Sequence, residues 1–247
     1  MILALSKAKR GEVQPENVIV IDIETVPVES SLDSLSEEIQ NAWEISKGEK
    51  CPDDKSPEQY FFDNAGLHAA FGKIICVSVG CFTKDNDTLR IKSFADDDEV
   101  LLLESFFELF NRTERHYLVG HNIKGFDCPY ICQRALVNGI PIPSILDVSG
   151  LRPWSMHNLI DTQELWLFGR DARNDISKLA VVAALLGLQS SKDDMHGGEV
   201  ASVYWRDGDL PRIVKYCQKD VIVTAQLLLK FMDKSILEDS QIEIAGE

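Results

Sequence analysis

The chain has 247 residues, of which 45% are hydrophobic and 26% charged, a balance typical of a globular α/β domain that can bury a sizeable core. Its formal net charge of −15 argues against a protein that binds nucleic acid mainly through a basic surface, but not against an enzyme whose metal ions supply local positive charge. No apolar run reaches the roughly eighteen residues of a membrane span, and residues 1–10 lack a secretory signal, so we predict a cytoplasmic protein.

The N-terminal half of the chain predicts three strands around one irregular segment. Residues 1–16 are polar and are predicted to form a leader. Residues 18–26 (VIVIDIETV) are rich in β-branched side chains, which predicts a central buried strand. Residues 28–70 are polar, with a short helix indicated near 32–45. We interpret this segment as an elaboration over one edge of the domain, either a lid or a disordered stretch. Two more strands are predicted at residues 73–82 and 88–94.

The C-terminal half alternates strands with helices. Capping residues and apolar periodicity predict helices that span residues 96–111, 126–137, 177–186 and 209–232. Short strands are predicted at 117–120 and 158–165, and residues 234–247 are predicted to form an acidic tail. This order predicts one domain over residues 17–233, of the α/β class, with a central mixed β-sheet flanked by helices.

Two carboxylates interrupt the most apolar predicted strand. Asp22 and Glu24 are two residues apart, so their side chains point to the same face of the sheet. Two acids on one face of a buried strand repel each other and lose hydration, and a bound cation would remove that cost. The alternative is that the pair lies at the end of the strand and faces solvent.

A second acidic segment, residues 121–127 (HNIKGFD), directly follows a predicted strand. Asn122 is expected to hold the loop by side-chain hydrogen bonding, and Gly125 to allow a tight turn. Asp127 falls at the start of a helix, where a simple capping role would also explain an acid.

The third segment, residues 216–220 (YCQKD), lies within the last predicted helix. Tyr216 and Asp220 share one helical face with Ile213, Cys217 and Thr224, a largely inward stripe. An aspartate on such a stripe is unusual unless it is paired or bound to metal. The alternative is a surface acid at the margin of the stripe.

Together the three segments, D-x-E, N-x-x-x-F-D and Y-x-x-x-D, resemble the exonuclease motifs of the DEDD superfamily. That superfamily includes proofreading domains of DNA polymerases and ribonuclease D-like enzymes, on a ribonuclease H-like fold. Tyr216 stands where the tyrosine (DEDDy) branch has its tyrosine, whereas Lys215 occupies the place of the histidine in the other branch. The likeness covers residues 17–232 and is greatest to stand-alone bacterial proteins similar to the exonuclease domain of family B DNA polymerases. The pattern around Gly187, Lys192 and Gly198 fits that group.

The resemblance implies a metal-dependent 3′–5′ exonuclease. Asp22, Glu24 and Asp220 would ligate one divalent cation, and Asp22 with Asp127 a second, while Tyr216 would orient the attacking water. Mg²⁺ or Mn²⁺ suits an all-carboxylate site better than zinc does.

The resemblance also suggests the substrate and its contacts. The expected partners are the 3′ ends of single-stranded DNA or RNA, with DNA favoured, and the product would be a nucleoside 5′-monophosphate. It places Thr25 and Phe126 near the terminal nucleotide and Asn122 near the same loop. Lys124 and Lys192 are candidate phosphate contacts, although solvated surface lysines would look the same.

Two alternatives stay open. One is a ribonuclease D-like enzyme with the same chemistry, because preference for DNA or RNA depends on contacts around the 2′ position and not on the carboxylates. The other is a catalytically inactive nucleic-acid-binding scaffold, against which the intact set of acids and tyrosine argues.

Overall fold

Six strands form the centre of the protein in the computed structural model, which describes residues 13–84, 88–111, 117–152, 155–174, 176–189 and 195–245. The strands are β1 (Val18–Pro27), β2 (Gly72–Phe82), β3 (Leu89–Ala95), β4 (Tyr117–Gly120), β5 (Leu159–Asp161) and β6 (Ile242–Ile244). They make one sheet in the order β5-β4-β1-β2-β3-β6. β2 is antiparallel to β1 and to β3, whereas β1–β4, β4–β5 and β3–β6 are parallel pairs. The predicted α/β class with a central mixed sheet is therefore confirmed.

Helices connect and cover these strands. They are α1 (Glu37–Lys47), α2 (Pro57–Asn64), α3 (Glu99–Phe107), α4 (Asp127–Val137), α5 (Thr162–Leu167), α6 (Leu179–Leu185), the single turn α7 (Val200–Ser202) and α8 (Leu210–Phe231). A π-helical turn (Val203–Asp207) follows α7. Short 3₁₀ turns lie at Pro15–Asn17, Leu32–Ser34, Gly48–Lys50, Ala65–Leu67, Glu108–Asn111, Ala172–Asn174, Gly197–Glu199 and Asp239–Gln241. None of the described helices combines the length and the apolar character that a membrane span requires.

The alternation of side chains along β1 divides the core into two layers. Val18 and Val20 pack on one face of the sheet, in the cluster that contains Val221 and Leu228 of α8. The residues between them, represented by Ile19, face α3 and α4 on the other side of the sheet. β1 is thus covered on both faces, as its β-branched composition predicts.

Side-chain caps mark the starts of two of the predicted helices. The Asp98 carboxylate accepts hydrogen bonds from the backbone N–H groups of Val100 and Leu101 at the start of α3. Asp209 accepts one from the Arg212 N–H at the start of α8, which runs almost as far as predicted. Each cap satisfies backbone donors that have no partner within the helix.

The strand predicted over residues 158–165 was wrong in its second half. β5 ends at Asp161, and α5 begins at the next residue. The Asp161 carboxylate accepts hydrogen bonds from the N–H groups of Gln163 and Glu164, so it acts as the N-cap of a helix. The apolar residues after it were read as strand because a short apolar run does not distinguish the two structures.

Both ends of the described chain pack more closely onto the domain than predicted. Val13, within the predicted leader, is buried in the core layer beside α8. The segment predicted as an acidic tail contributes a buried Leu237 and the strand β6, which extends the sheet beyond β3. The two isoleucines of β6 alternate with Glu243, a two-residue period that suits an edge strand. Residues 1–12 lie outside the described part.

The polar segment 28–70 forms a small packed layer. The alternative that this segment is a disordered stretch is therefore wrong. Trp43 of α1 is buried against Phe61 of α2 and against Phe71, with ring centroids 5.1 Å apart in each pair and near-perpendicular planes. Such edge-to-face contacts between aromatic rings stabilise a local cluster. The segment therefore has a core of its own at the end of β1.

A buried ion pair joins the helices on the other side of the sheet. Arg134 of α4 donates three hydrogen bonds to the Glu99 carboxylate of α3, from Nε to both oxygens and from Nη2 to Oε2 at 2.6 Å. Its Nη1 donates to the Ala69 carbonyl at 2.9 Å. The carboxylate also accepts from the Ile74 N–H at 2.8 Å and from Asn138 Nδ2 at 2.8 Å. The network holds α4, whose first residue is Asp127, in place against β2 and α3.

Candidate active site

The predicted acidic pair lies in the middle of the sheet, on the face covered by α8. Asp22 stands opposite Ser78 of β2, and Glu24 stands opposite Cys76. Glu24 is only 8% exposed, and Asp22 is partly exposed. The alternative in which both acids face solvent is therefore wrong, and the two carboxylates lie where water relieves their mutual repulsion only in part.

Helix α8 brings the third motif against this pair. The Cys217 thiol donates to the Asp22 carboxylate, with 3.3 Å between Sγ and Oδ2. One potential ligand atom from each of Asp22, Glu24 and Cys217 lies within 4.8 Å of the other two. Tyr216 is buried beside Val26 at the end of β1, and Asp220 is half-buried one turn further along the helix.

The loop before α4 brings in the fourth carboxylate. Asp127 is 4% exposed, and a backbone hydrogen bond with Ile23 ties it to β1. Asn122 adopts a left-handed conformation with φ of 69°. A Cβ added at Gly125 would lie 2.4 Å from Asn122 Oδ1. Gly125 therefore leaves space beside the Asn122 side chain in this tight turn, and the left-handed residue of the turn is Asn122.

Asp161 is a buried acid that the sequence analysis missed. Besides capping α5, its carboxylate accepts hydrogen bonds from the Asn122 N–H at 2.9 Å and the Lys124 N–H at 3.2 Å. It is 4% exposed and fixes the loop that leads to Asp127. The pattern of an Asp followed three residues later by Glu164, which marks a helix start, was the available signal.

His121, to which no role was assigned, has a structural position in the same loop. Its Nε2 lies 2.5 Å from the Ser177 carbonyl and its Nδ1 lies 3.0 Å from the Thr162 hydroxyl. Burial lowers the pKa of the imidazole, so the ring is neutral near pH 7. The histidine thus ties the motif loop to the segment before α6.

The four acids of the motifs act on one another electrostatically. Burial raises the pKa of Asp22 well above its ordinary value, and the neighbouring carboxylates of Asp220, Glu24 and Asp127 raise it further. The pKa of Glu24 is raised in the same way, by burial and then by Asp220. Burial is also the main cause that raises the pKa of Asp127 to about 7. Like charges brought together in a site of low water content disfavour their own ionisation.

The two other side chains of the site stay protonated at neutral pH. Burial raises the pKa of the Tyr216 hydroxyl, and the nearby carboxylate of Asp220, to which the hydroxyl is hydrogen-bonded, raises it further. Burial likewise raises the pKa of the Cys217 thiol well above its ordinary value. Both groups are therefore hydrogen-bond donors toward the carboxylates.

The predicted substrate contacts have different surroundings. The Thr25 hydroxyl donates to the Gly66 carbonyl at 2.7 Å, and Phe126 is half-buried with its ring centroid 5.3 Å from that of Tyr130. Lys124 forms an ion pair with Glu164 at 2.6 Å. Lys192 lies outside the described residues. The contacts of these residues with a substrate stay predictions.

The donor set of the site fits hard divalent cations. Asp22, Glu24, Asp127 and Asp220 supply only carboxylate oxygens, which Mg²⁺ and Mn²⁺ prefer. The nearby sulfur of Cys217 belongs to a protonated thiol, which is not the ligand form. Each raised carboxyl pKa has at least one other carboxylate among its causes, and a bound cation would compensate that repulsion.

Comparison with known proteins assigns the chain to a family of predicted exonucleases. A family model described as a predicted 3′–5′ exonuclease related to the exonuclease domain of PolB matches residues 65–241, well over half of the chain. Asp127, Tyr216 and Asp220 lie inside that span, whereas Asp22 and Glu24 precede it.

Two archaeal polymerases are similar to the chain. A DNA polymerase of Archaeoglobus fulgidus is 28% identical over 198 residues, which cover 74% of this chain and 24% of the polymerase. A family B DNA polymerase of Pyrobaculum calidifontis has a similar structure, with a TM-score of 0.56 and 18% identity, over 89% of this chain and 25% of that chain. This chain thus spans about a quarter of the length of either polymerase. The structural likeness confirms the ribonuclease H-like fold, and the chain belongs to the family of predicted 3′–5′ exonucleases related to the exonuclease domain of family B DNA polymerases.

Proposed function

We propose that the protein is a metal-dependent exonuclease that removes nucleotides from the 3′ end of single-stranded DNA. One observation carries this proposal: Asp22, Glu24, Asp127 and Asp220 come from three separate elements and meet closely enough that Asp220 raises the pKa of each of the other three. DNA is the expected substrate because the similar proteins are DNA polymerases.

The four carboxylates are the residues that would hold divalent cations, Mg²⁺ or Mn²⁺. Bound there, such ions polarise a phosphodiester and lower the pKa of water that they coordinate. The proposal assigns this binding role to Asp22, Glu24, Asp127 and Asp220, and it predicts that zinc is a poorer cofactor.

Tyr216 is proposed to orient the attacking water. Its hydroxyl keeps its proton at neutral pH because burial and the adjacent carboxylates raise its pKa, so it is not a base. It donates that proton to Asp220, and its oxygen can accept a hydrogen bond from the water. The hydrogen bond with Asp220 holds this hydroxyl in position. The reaction would release a nucleoside 5′-monophosphate and leave a new 3′ hydroxyl.

Other side chains keep the carboxylates in position. Cys217 donates to Asp22 Oδ2, which restrains the rotation of that carboxylate. Asp161 holds the backbone of the loop before Asp127 through two N–H groups. Substitutions at these two positions are expected to lower activity less than loss of a carboxylate does.

The proposal is tested with single-stranded DNA and RNA oligonucleotides labelled at the 5′ end. Each is incubated with Mg²⁺, with Mn²⁺ and with EDTA, using the unchanged protein, Asp22→Asn and Glu243→Gln. Glu243 is a matched control because it is an exposed acid on the edge strand β6, three strands away from β1. We expect a metal-dependent ladder that shortens from the 3′ end, present with Glu243→Gln and absent with Asp22→Asn.

Other results would change the assignment. Faster degradation of RNA than of DNA would support the ribonuclease D-like alternative. Full activity of Asp22→Asn, at an unchanged unfolding midpoint, would remove the carboxylates from the mechanism. No hydrolysis of either strand under any metal would support the inactive scaffold.

A further inference from the structure

A cavity of about 340 Å³ opens beside the loop that leads to Asp127. Its walls come from the end of α1 (Ser46 and Lys47), from residues 67–71, and from the start of α4 with the preceding Gly125 and Phe126. We call this cavity the α1–α4 groove. Because both line the groove, the packed segment 28–70 lies directly next to Gly125 and Phe126 of the second motif.

The groove differs in charge from the rest of the protein. The chain has 40 acidic residues, yet within the part of the chain that the structure describes no acid lines the groove, whereas Lys47 and His68 do line it. Burial lowers the pKa of the His68 imidazole, and the nearby charges of Lys47 and Lys50 lower it further, so Lys50 is also close and the ring is neutral near pH 7. The two lysine charges at this groove of an acidic protein would attract a phosphate backbone.

Apolar side chains lie beside these basic groups. Phe126 is half-buried and packs on Tyr130, so one part of its ring borders the groove. Leu67 lies on the rim and is 58% exposed. Apolar and aromatic surfaces of this kind accept nucleobases of any sequence, because every base has a π-face.

Hydrogen bonds connect the wall of the groove to the strand that carries the acidic pair. The Gly66 carbonyl accepts from the Thr25 hydroxyl at 2.7 Å and from the Tyr130 hydroxyl at 3.0 Å. Thr25 directly follows Glu24 on β1, so the groove wall and the carboxylates are parts of one bonded unit. The position of the groove relative to the acids is therefore set by the fold.

We propose that the α1–α4 groove binds the stretch of single-stranded nucleic acid on the 5′ side of the nucleotide that is removed, with Lys47 contacting one of its phosphates and His68 donating a hydrogen bond to the strand. The inference rests on the proposed function, since a strand whose 3′ end lies at the carboxylates must leave the site along some surface. Phe126 stands at the junction of the two regions. The segment 28–70 is then a fixed wall for the substrate.

The test compares a long with a short substrate. A single-stranded DNA of about twelve nucleotides would fill the groove, whereas the dinucleotide d(TpT) has no phosphate beyond the one that is cleaved. Lys47→Glu is compared with Lys55→Glu, which makes the same charge change on the same segment. Lys55 does not line the groove and forms an exposed ion pair with Asp63. Lys47→Gln and the unfolding midpoint of each variant check that the fold is retained.

We expect Lys47→Glu to lower kcat/KM for the long strand by about 10-fold, mainly through KM, and to reduce the slope of log affinity against log salt by about 0.7 for one lost phosphate contact. Hydrolysis of d(TpT) should stay unchanged, and Lys55→Glu should leave both substrates unaffected. His68→Gln should also lower kcat/KM for the long strand, by a smaller factor than Lys47→Glu does.

Two results overturn the inference and are distinguishable. If the unchanged protein hydrolyses both substrates and Lys47→Glu affects them equally or not at all, the groove does not bind the strand, although the proposed function stands. If the unchanged protein hydrolyses neither substrate, the proposed function fails and the inference fails with it.

Discussion

Replacement of Arg134 by methionine should destabilise the protein strongly. Arg134 and Glu99 are each only 7% exposed at their side chains. Methionine keeps much of the side-chain volume but removes three hydrogen bonds to the carboxylate and one to the Ala69 carbonyl. Glu99 would then be a buried charge whose remaining partners are the Ile74 N–H and Asn138.

The expected cost is about 3–5 kcal/mol, the range for breaking a buried ion pair by removal of one partner. This is a large part of the roughly 5–15 kcal/mol that stabilises a typical domain. With a urea m-value of about 2 kcal/mol/M, the denaturation midpoint should fall by about 1.5–2.5 M. Equilibrium unfolding in urea, followed by circular dichroism at neutral pH, measures this change.

A matched control is available in an exposed ion pair. Arg90 and Glu243 form a salt bridge of 2.8 Å between β3 and β6, with side chains 67% and 57% exposed. Arg90→Met should cost less than about 1 kcal/mol, because water screens such pairs. Adding Glu99→Gln to Arg134→Met should recover part of the loss, since the buried charge is gone and the Gln oxygen still accepts from Ile74.

The reasoning is refuted if Arg134→Met costs no more than Arg90→Met. A loss that Glu99→Gln fails to relieve would also contradict it, because the cost would then come from packing and not from an uncompensated charge. If the reasoning holds, Arg134→Met should also lose nuclease activity at urea concentrations below its unfolding midpoint. The Arg134–Glu99 pair anchors the helix that begins at Asp127.

Four further predictions concern the site. Mn²⁺ at about 100 times its dissociation constant should stabilise the protein by about 2.7 kcal/mol in thermal unfolding. Asp220→Asn should remove most of this gain in stability. An equal gain in the variant would exclude Asp220 as a ligand. In EDTA, stability should fall as the pH rises from about 4 through about 7. The pKa of Asp127 is raised to about 7 from an ordinary 3.8, so the folded state holds this proton more tightly than the unfolded state. Asp127→Asn should make that decline shallower, and a decline that stays as steep would assign it to other groups. Tyr216→Phe should lower turnover at unchanged affinity for Mn²⁺ measured by calorimetry, whereas unchanged turnover would mean that another group positions the water. Gly125→Ala should cost about 1–3 kcal/mol, because its Cβ would lie 2.4 Å from Asn122 Oδ1; a neutral effect in urea unfolding would show that Asn122 moves freely.

The sequence alone was enough to locate the parts of the candidate site. The β-branched run around Asp22 and Glu24 predicts a buried strand, and Asp209 with Pro211 predicts the start of the last helix. These signals are local: the alternation of side chains and the capping of free N–H groups depend on residues only a few positions apart. The order of the three motifs also predicted the fold, because each motif lies in the type of element, strand, loop or helix, that the resemblance requires.

Only the tertiary structure decided how distant residues meet. Asp161 caps a helix and also holds a loop 39 residues earlier in the chain, a contact that no local pattern encodes. Arg134 pairs with Glu99 across 35 residues, and β6 pairs with β3 although Arg90 and Glu243 are 153 residues apart in the chain. The position of Lys47 in the α1–α4 groove is likewise not evident in a chain of net charge −15, since the end of α1, residues 67–71 and the start of α4 come together only in the folded protein. Local sequence determines which elements form, whereas burial and pairing between those elements determine which side chains share a site.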